Sequence, residues 1–193
     1  MAIEEANAFI PFPKISRFSR DIIITEKIDG TNAQIYIGED GEVRAGSRTR
    51  WIFPGNQDNY GFASWVAAHR EELVVGLGPG RHFGEWWGSG IQRTYGMREK
   101  HFSLFNVSRW GEKRPACCDV VPTIFTGPFL TDAIAYALDT LITKGSLAAP
   151  GYRKPEGIII FHTASGHLYK KTIEKDELPK SLCQTQQSQH RPS

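Results

Sequence analysis

One lysine lies in a short segment whose neighbours suit covalent chemistry. The segment 26–32 reads EKIDGTN and separates two predicted strands, so a rigid scaffold would present its loop. A lysine amine is a nucleophile only when it is neutral, and burial or a nearby cation favours that form. Asp29 supplies a polar partner, and Gly30 lets the backbone approach a ligand closely. The pattern indicates Lys27 as a candidate nucleophile, with a β-turn that carries a surface lysine as the alternative.

Three later segments place charged residues on predicted strands. Glu85 lies between aromatic residues in 82–93, HFGEWWGSGIQR, where an unpaired carboxylate is costly. It therefore needs a hydroxyl, a cation or a metal, or a structural ion pair with an arginine. Glu156 opens an apolar strand, and a solvated strand end is its alternative. Lys170 and Lys171 lie on a late strand, where a lysine can neutralise phosphate or protect an exposed sheet edge.

Hydrophobic periodicity predicts the elements that must position these residues. Strands are predicted over 22–25, 33–37, 42–45, 81–87, 102–107, 157–161 and 167–172. Helices are predicted over 59–76 and 131–144, the second with Thr131 as N-cap and Gly145 at its C-terminal end. Because strands and helices are mixed rather than strictly alternating, the predicted fold class is α+β.

The length and composition are those of one ordinary domain. The 193 residues are 40% hydrophobic and 23% charged, with a net charge of +2. These values exclude collagen, coiled coil and wholesale disorder, and they disfavour a charge-dominated nucleic-acid binder. A local basic groove is still compatible with them. We expect one domain over 1–180, entered by an extended segment, and a disordered Gln/Ser-rich tail over 181–193.

The lack of a recognisable targeting signal and the cysteine spacing predict a cytoplasmic protein. No apolar run approaches the roughly 20 residues that span a bilayer, so no membrane association is expected. The first residues, MAIEEANAFIPF, lack the pattern of a signal peptide. Three cysteines without zinc spacing are interpreted as reduced structural thiols: Cys117, Cys118 and Cys183.

The four charged segments occur in the order of the motifs of covalent nucleotidyltransferases. That superfamily contains ATP- and NAD-dependent polynucleotide ligases and RNA capping enzymes. The chain resembles its phage-type, RNA ligase 2-like family over about residues 22–175. The resemblance rests on EKIDGTN at 26–32, SRT at 47–49, FGEWWGSGIQR at 83–93, SLFNV at 103–107, EGIII at 156–160 and YKKT at 169–172. It implies an antiparallel-sheet nucleotidyltransferase domain, ATP-grasp-like, with flanking helices.

The resemblance also implies an ATP-dependent RNA ligase. Lys27 would attack the α-phosphorus of ATP, release pyrophosphate and carry AMP as a phosphoramidate. AMP would then pass to an RNA 5′-phosphate, and a 3′-hydroxyl would displace it to seal the strand. The implied substrates are nicked or broken RNA, including RNA/DNA hybrids, as in RNA repair.

The resemblance assigns further residues to the nucleotide and its metal. Glu156 would help to hold Mg²⁺ or Mn²⁺, and Lys170 or Lys171 would stabilise charge on the α-phosphate. The implied nucleotide-binding residues are Glu85 at the ribose, Phe105 against adenine with Glu26 beside the base, Arg48 at the phosphate or ribose, Thr31 and Asn32 as braces of the loop, and Ile28.

Departures from the family pattern leave alternatives open. The family usually separates its last two lysines by one residue, whereas Lys170 and Lys171 are adjacent and point to opposite faces of a strand. Only one then faces the pocket, and we favour Lys170. Asn106 stands where aspartate is common. Relatives usually append another domain, so here we expect substrate to be held by the catalytic domain's own surface, by a partner chain, or not at all.

The alternative functions are a nick-sealing DNA ligase, a GTP-using capping-type enzyme and a non-catalytic nucleic-acid-binding relative. Thr31, Asn32 and the segment 83–93 favour an RNA ligase. A basic border of the pocket is a further hypothesis, with scattered solvated charge as its alternative: Arg44, Arg48, Arg50, Arg93, Arg98 and Lys100. Base stacking on Trp51, Trp86 and Trp87 is another, with core packing as its alternative.

Overall fold

The chain folds into two sheets with helices on their outer faces. The structure is a computed structural model, and it describes residues 9, 11–55 and 58–176. Its strands are β1 (Asp21–Lys27), β2 (Thr31–Ile37), β3 (Val43–Ser47), β4 (Trp51–Ile52), β5 (Gly80–Gly88), β6 (Lys100–Leu104), β7 (Asp119–Val120), β8 (Thr123–Pro128), β9 (Gly157–His162) and β10 (His167–Thr172). Its helices are a 3₁₀ turn (Asn59–Gly61), α1 (Phe62–Ala68), α2 (Arg70–Leu77), α3 (Val107–Trp110) and α4 (Thr131–Lys144). The α+β class with antiparallel sheets is confirmed.

The two sheets divide the strands unequally. Sheet 1 has the order β10-β9-β1-β8, and every pairing in it is antiparallel. Sheet 2 has the order β4-β3-β2-β5-β6-β7, and only β6 and β7 pair in parallel. The chain leaves sheet 1 after Lys27 and enters sheet 2 at Thr31. The segment 28–30 is therefore the hinge between the sheets.

One face of each sheet is buried under helices. On sheet 1, α4 packs its small residues Ala133 and Ala137, one turn apart, against isoleucines of β1 and β9. On sheet 2, Phe62 of α1 and Leu73 of α2 cover β2, β5 and β6. A third cluster joins Ile28 from the hinge to Trp87 of β5. The opposite face of each sheet is not covered by these helices and can therefore carry a site.

The predicted helix over 59–76 is wrong as a single element. It begins as a 3₁₀ turn and breaks at His69, which has φ −104° and ψ 16°. The His69 amide donates to the Trp65 carbonyl, and the imidazole Nδ1 lies 2.9 Å from the same oxygen. The carbonyl thus receives both groups, and α1 ends where the His69 backbone leaves helical geometry.

Two other local expectations are also corrected. Thr131 is the first residue of α4 rather than its N-cap, which is Leu130 without a side-chain bond. The strand predicted over 102–107 ends at Leu104, because the Asn106 side chain accepts from the Arg109 amide and caps α3. Gly145, with φ 84°, ends α4 as expected.

The described residues contain no helix that is both long and apolar enough to cross a bilayer. The lead-in over 11–20 has no regular secondary structure and is exposed, as its prolines predict. The tail over 181–193, with Cys183, lies outside the described residues.

Candidate active site

Lys27 ends β1 and contacts the carboxylate that precedes β9. Its Nζ lies 2.5 Å from Glu156 Oε2, and the two side chains are only 16% and 7% exposed. The antiparallel register causes this contact, because Lys27 pairs with Gly157 and so meets the residue before it. A Cβ at Gly157 would overlap the Lys171 carbonyl on β10. Glycine is thus needed where three strands converge on the lysine.

Glu85 ties the hinge to sheet 2. Its Oε1 accepts from the Gly30 amide at 3.0 Å, and its Oε2 accepts from Asn32 Nδ2 at 3.2 Å. The side chain lies on the same sheet face as Asn32, its partner in the β2–β5 register. A Cβ at Gly30 would overlap the Trp86 carbonyl, so only glycine fits this approach.

Arg93, which the sequence offered only as a border of the pocket, braces the hinge. Arg93 Nε donates to Asp29 Oδ2 at 3.0 Å, and its guanidinium also donates to the Lys154 carbonyl at 3.0 Å. The Asp29 amide donates to the Tyr95 hydroxyl at 2.8 Å. One side chain therefore links the hinge to the segment that leads into Glu156.

The loop that carries this brace has unusual backbone geometry. Gln92, Thr94 and Tyr95 all have positive φ values, of 44°, 57° and 54°. Such values cost free energy in non-glycine residues and persist where the surroundings impose them. Burial raises the pKa of the Tyr95 hydroxyl, so it stays protonated at neutral pH. The loop is held as a rigid support of the hinge.

We predict that Arg93→Ala lowers the free energy of unfolding by about 1–3 kcal/mol, because it removes a charged hydrogen bond to the Asp29 carboxylate and the bond to the Lys154 carbonyl. Urea titrations measure this loss, and Arg98→Ala, at an exposed arginine of the same loop, is the matched control. A free energy of unfolding in Arg93→Ala equal to that of the wild type would contradict this role.

Glu26 lies on the opposite face of sheet 1 from Lys27. It pairs with Ile158 of β9, on the face covered by α4, and is 1% exposed. Its Oε2 accepts from the amides of Leu147 and Ala148 at 2.7 and 3.0 Å. Its Oε1 has no hydrogen-bond partner among the described residues. Glu26 anchors the segment after α4, and its contact with the adenine base stays a prediction.

Burial raises the pKa of the Glu26 carboxyl above its ordinary 4.5, and the hydrogen bonds from the Leu147 and Ala148 amides oppose this rise. The folded state then binds more protons than the unfolded state between the two values. We therefore predict that the free energy of unfolding falls as pH rises from 4.5 through the raised pKa. Urea titrations across this window should show the fall in the wild type and a smaller one in Glu26→Gln. If the free energy of unfolding changes equally with pH in the two proteins, the prediction is contradicted.

The register separates the two adjacent lysines of β10. Lys170 pairs with Ile159, which pairs with Thr25, so Lys170 shares the sheet face of Lys27. Lys171 pairs with Ile158 on the other face, and its Nζ contacts Asp176 at 3.2 Å. Only Lys170 is on the face where a phosphate bound to Lys27 would lie.

The side chains of the remaining candidate residues differ in their exposure to solvent. Phe105 is 40% exposed just after β6, and its amide donates to the Phe83 carbonyl. Arg48 is exposed in the β3–β4 turn. Thr31 Oγ1 lies 3.4 Å from Asn59 Oδ1. Ile28 packs in the third core cluster and is 4% exposed. Of these, Phe105 and Arg48 present side chains to solvent.

The family model for RNA ligase matches residues 20–172 of this chain. No curated protein matches the chain. Among solved structures, a variant of Naegleria gruberi RNA ligase with ATP and Mn has a TM-score of 0.59 at 16% identity, and covers 79% of this chain and 49% of that chain. A variant with AMP and Mn has a TM-score of 0.58 at 15% identity, with the same coverages.

The same Naegleria protein with PPi has a TM-score of 0.59 at 17% identity. It covers 87% of this chain and 52% of that chain. The chain thus spans about half the length of the solved structures it matches. At these identities the likeness establishes the fold, and the match over 20–172 establishes the family.

Proposed function

The chain belongs to the RNA ligase family, and from that premise we propose that it joins RNA ends with ATP through an adenylate on Lys27. The observation that carries the proposal is the position of Lys27. Its largely buried amine lies at the meeting point of β1, β9 and β10, against Glu156 and on the sheet face of Lys170. A nucleophile in contact with a carboxylate, with a second lysine on the same sheet face, suits phosphoryl transfer.

The first step forms a nitrogen–phosphorus bond. The Lys27 amine gives up its proton and attacks the α-phosphorus of ATP, and the bond to the leaving pyrophosphate breaks. The Glu156 carboxylate contacts the Lys27 amine, so this contact must break before the amine attacks. Lys170, on the same sheet face, supplies positive charge to the phosphate oxygens.

The later steps return the lysine to its starting state. An oxygen of the RNA 5′-phosphate attacks the adenylate phosphorus, and the bond to Lys27 breaks as its nitrogen regains a proton. The RNA 3′-hydroxyl then attacks the 5′-phosphorus, loses its proton and displaces AMP. Glu85 keeps the hinge and Lys27 in place throughout, through its bonds to Gly30 and Asn32.

The residues near Lys27 fit a divalent ion that keeps most of its own water. No cluster of three or more His, Cys, Asp or Glu side chains is present in the part of the chain that the structure describes. Mg²⁺ and Mn²⁺ need only one or two carboxylates when phosphate oxygens and waters complete the shell. Glu156 would hold the ion, which would neutralise charge on the phosphates.

We propose the cytoplasm as the site of action. Cys117 and Cys118 are both free, with sulfurs 3.9 Å apart, which suits a reducing compartment.

The test is strand sealing by the purified chain. Nicked duplexes and open single strands with 5′-phosphate ends, in RNA and in DNA, are incubated with ATP, GTP or NAD and a divalent metal. We expect sealed RNA and released pyrophosphate with ATP and neither product with GTP or NAD. Preferred sealing of DNA would indicate a DNA ligase, and labelling by GTP would indicate a capping-type enzyme. Salt-sensitive binding without pyrophosphate release would indicate a non-catalytic relative.

A further inference from the structure

A cluster of two aromatic rings and an arginine lies on the open face of sheet 2. The Arg81 guanidinium carbon is 5.1 Å from the Tyr36 ring centre and 5.3 Å from the Trp51 ring centre. The two ring centres are 6.2 Å apart. Arg81 is exposed and both rings are partly exposed. We call Tyr36, Trp51 and Arg81 the Arg81 patch.

The Arg81 patch is held in place by its neighbours. Arg81 Nη1 donates to Gln34 Oε1 at 3.3 Å, and Gln34 Nε2 donates to the Ser47 carbonyl. The Gln34 side chain fills the space that a Cβ at Gly46 would need. The guanidinium is therefore pre-organised, which lowers the entropy that a ligand must overcome.

The Arg81 patch shares its sheet face with Glu85 of the active site. In the β2–β5 register, Asn32 pairs with Glu85, Gln34 with Phe83 and Tyr36 with Arg81. Side chains two residues apart on a strand share a face, so residues 81, 83 and 85 form one row. Arg81 is about 13 Å from Glu85 along β5 at about 3.3 Å per residue. Phe83, between them, is 52% exposed.

Charge on this face favours a polyanion. Arg48 and Arg50 are exposed in the turn beside Trp51. Arg44 pairs with Tyr36 across the sheet, but its guanidinium donates to both carboxylate oxygens of Glu42, which compensates its charge. Arg48, Arg50 and Arg81 form no ion pair within the described ranges. Together with the aromatic rings they match the two parts of a nucleic-acid strand: bases that stack and phosphates that carry charge.

We propose that the Arg81 patch binds an unpaired stretch of the RNA strand whose end is being joined. A base stacks on the exposed aromatic surface, and Arg81 contacts the adjoining phosphate. Bases that are already stacked in a duplex cannot use the rings, so the patch selects single-stranded RNA near the end. This inference rests on the proposed function only for the identity of the strand.

The test measures RNA binding and adenylylation separately. Fluorescence anisotropy follows a labelled single-stranded RNA with a 5′-phosphate, and labelled ATP follows adenylate formation without RNA. Tyr36→Ala and Trp51→Ala should each weaken RNA binding by about ten-fold. Arg81→Gln should lower the slope of log affinity against log salt by about 0.7. Tyr136→Ala, an exposed aromatic on α4, is the matched control and should bind like the wild type.

All these variants should form adenylate at the wild-type rate. RNA binding that is unchanged in Tyr36→Ala and Trp51→Ala would overturn the inference, and so would loss of adenylate formation together with binding, since the patch would then be structural. Equal loss of affinity for duplex and single strand would also overturn it. Patch-dependent binding in a chain that forms no adenylate would support the inference while the proposed function failed.

Discussion

A Lys27→Ala variant is expected to release no pyrophosphate from ATP and to lose sealing of 5′-phosphate ends by on the order of 10³-fold or more. Neither lysine of β10 can replace it geometrically. Lys170 shares its sheet face but lies two strands away, and Lys171 faces the other side. Pyrophosphate release and sealing by gel assay measure the two losses.

A pre-adenylylated RNA strand provides the control for this variant. Such a strand already carries AMP on its 5′-phosphate, so only the last bond remains to be made. Lys27→Ala should seal it far better than it seals a 5′-phosphate strand with ATP. Failure on both substrates, in a variant that folds, would mean that Lys27 acts in the last step as well. Retained pyrophosphate release would contradict the assignment of the nucleophile.

Glu156→Gln is expected to reduce adenylate formation by about 10²–10³-fold, a loss typical of removing a charged group that acts on the transition state. The amide keeps the shape and the hydrogen-bond oxygen that faces Lys27 at 2.5 Å, but it cannot supply a negative charge to a metal. The Mg²⁺ or Mn²⁺ concentration needed for half-maximal activity should therefore rise. Glu156→Asp should retain more activity than Glu156→Gln at high metal concentration.

Glu174→Gln, an exposed glutamate just after β10, is the matched control and should leave the metal response unchanged. An unchanged metal requirement in Glu156→Gln, with reduced activity, would instead assign Glu156 to positioning Lys27 alone.

The sequence predicts elements well where a local pattern decides them. The bounds of α4 and β10 coincide with the predictions, because apolar spacing and a terminal glycine act within a few residues. A local side-chain bond explains one failure, because Asn106 caps a short helix inside a predicted strand. The predicted helix over 59–76 divides at His69, where the backbone leaves helical geometry. The strand β8 was not predicted, and it is paired with β1. The short strand β7 carries no periodic signal of its own and depends on pairing with β6.

The site was harder to predict than the motifs that mark it. Alternation along a strand predicts that Lys170 and Lys171 diverge, but only the pairing register shows that Lys170 shares the face of Lys27. Arg93 lies 64 residues from Asp29, and no local pattern joins them. The only sequence signal for this contact is the opposite charge of Arg93 and Asp29, which lie in two different motif segments. Glu26 is adjacent to Lys27, and alternation alone places it on the opposite face.

The position of the covalent adenylate tests the central claim most directly. The purified chain is incubated with ATP and Mg²⁺, digested under conditions that preserve a phosphoramidate, and mapped by mass spectrometry. We predict one AMP group, on Lys27, that is absent from Lys27→Ala. AMP on another residue, or a chain that turns ATP over without ever carrying AMP, would contradict the account.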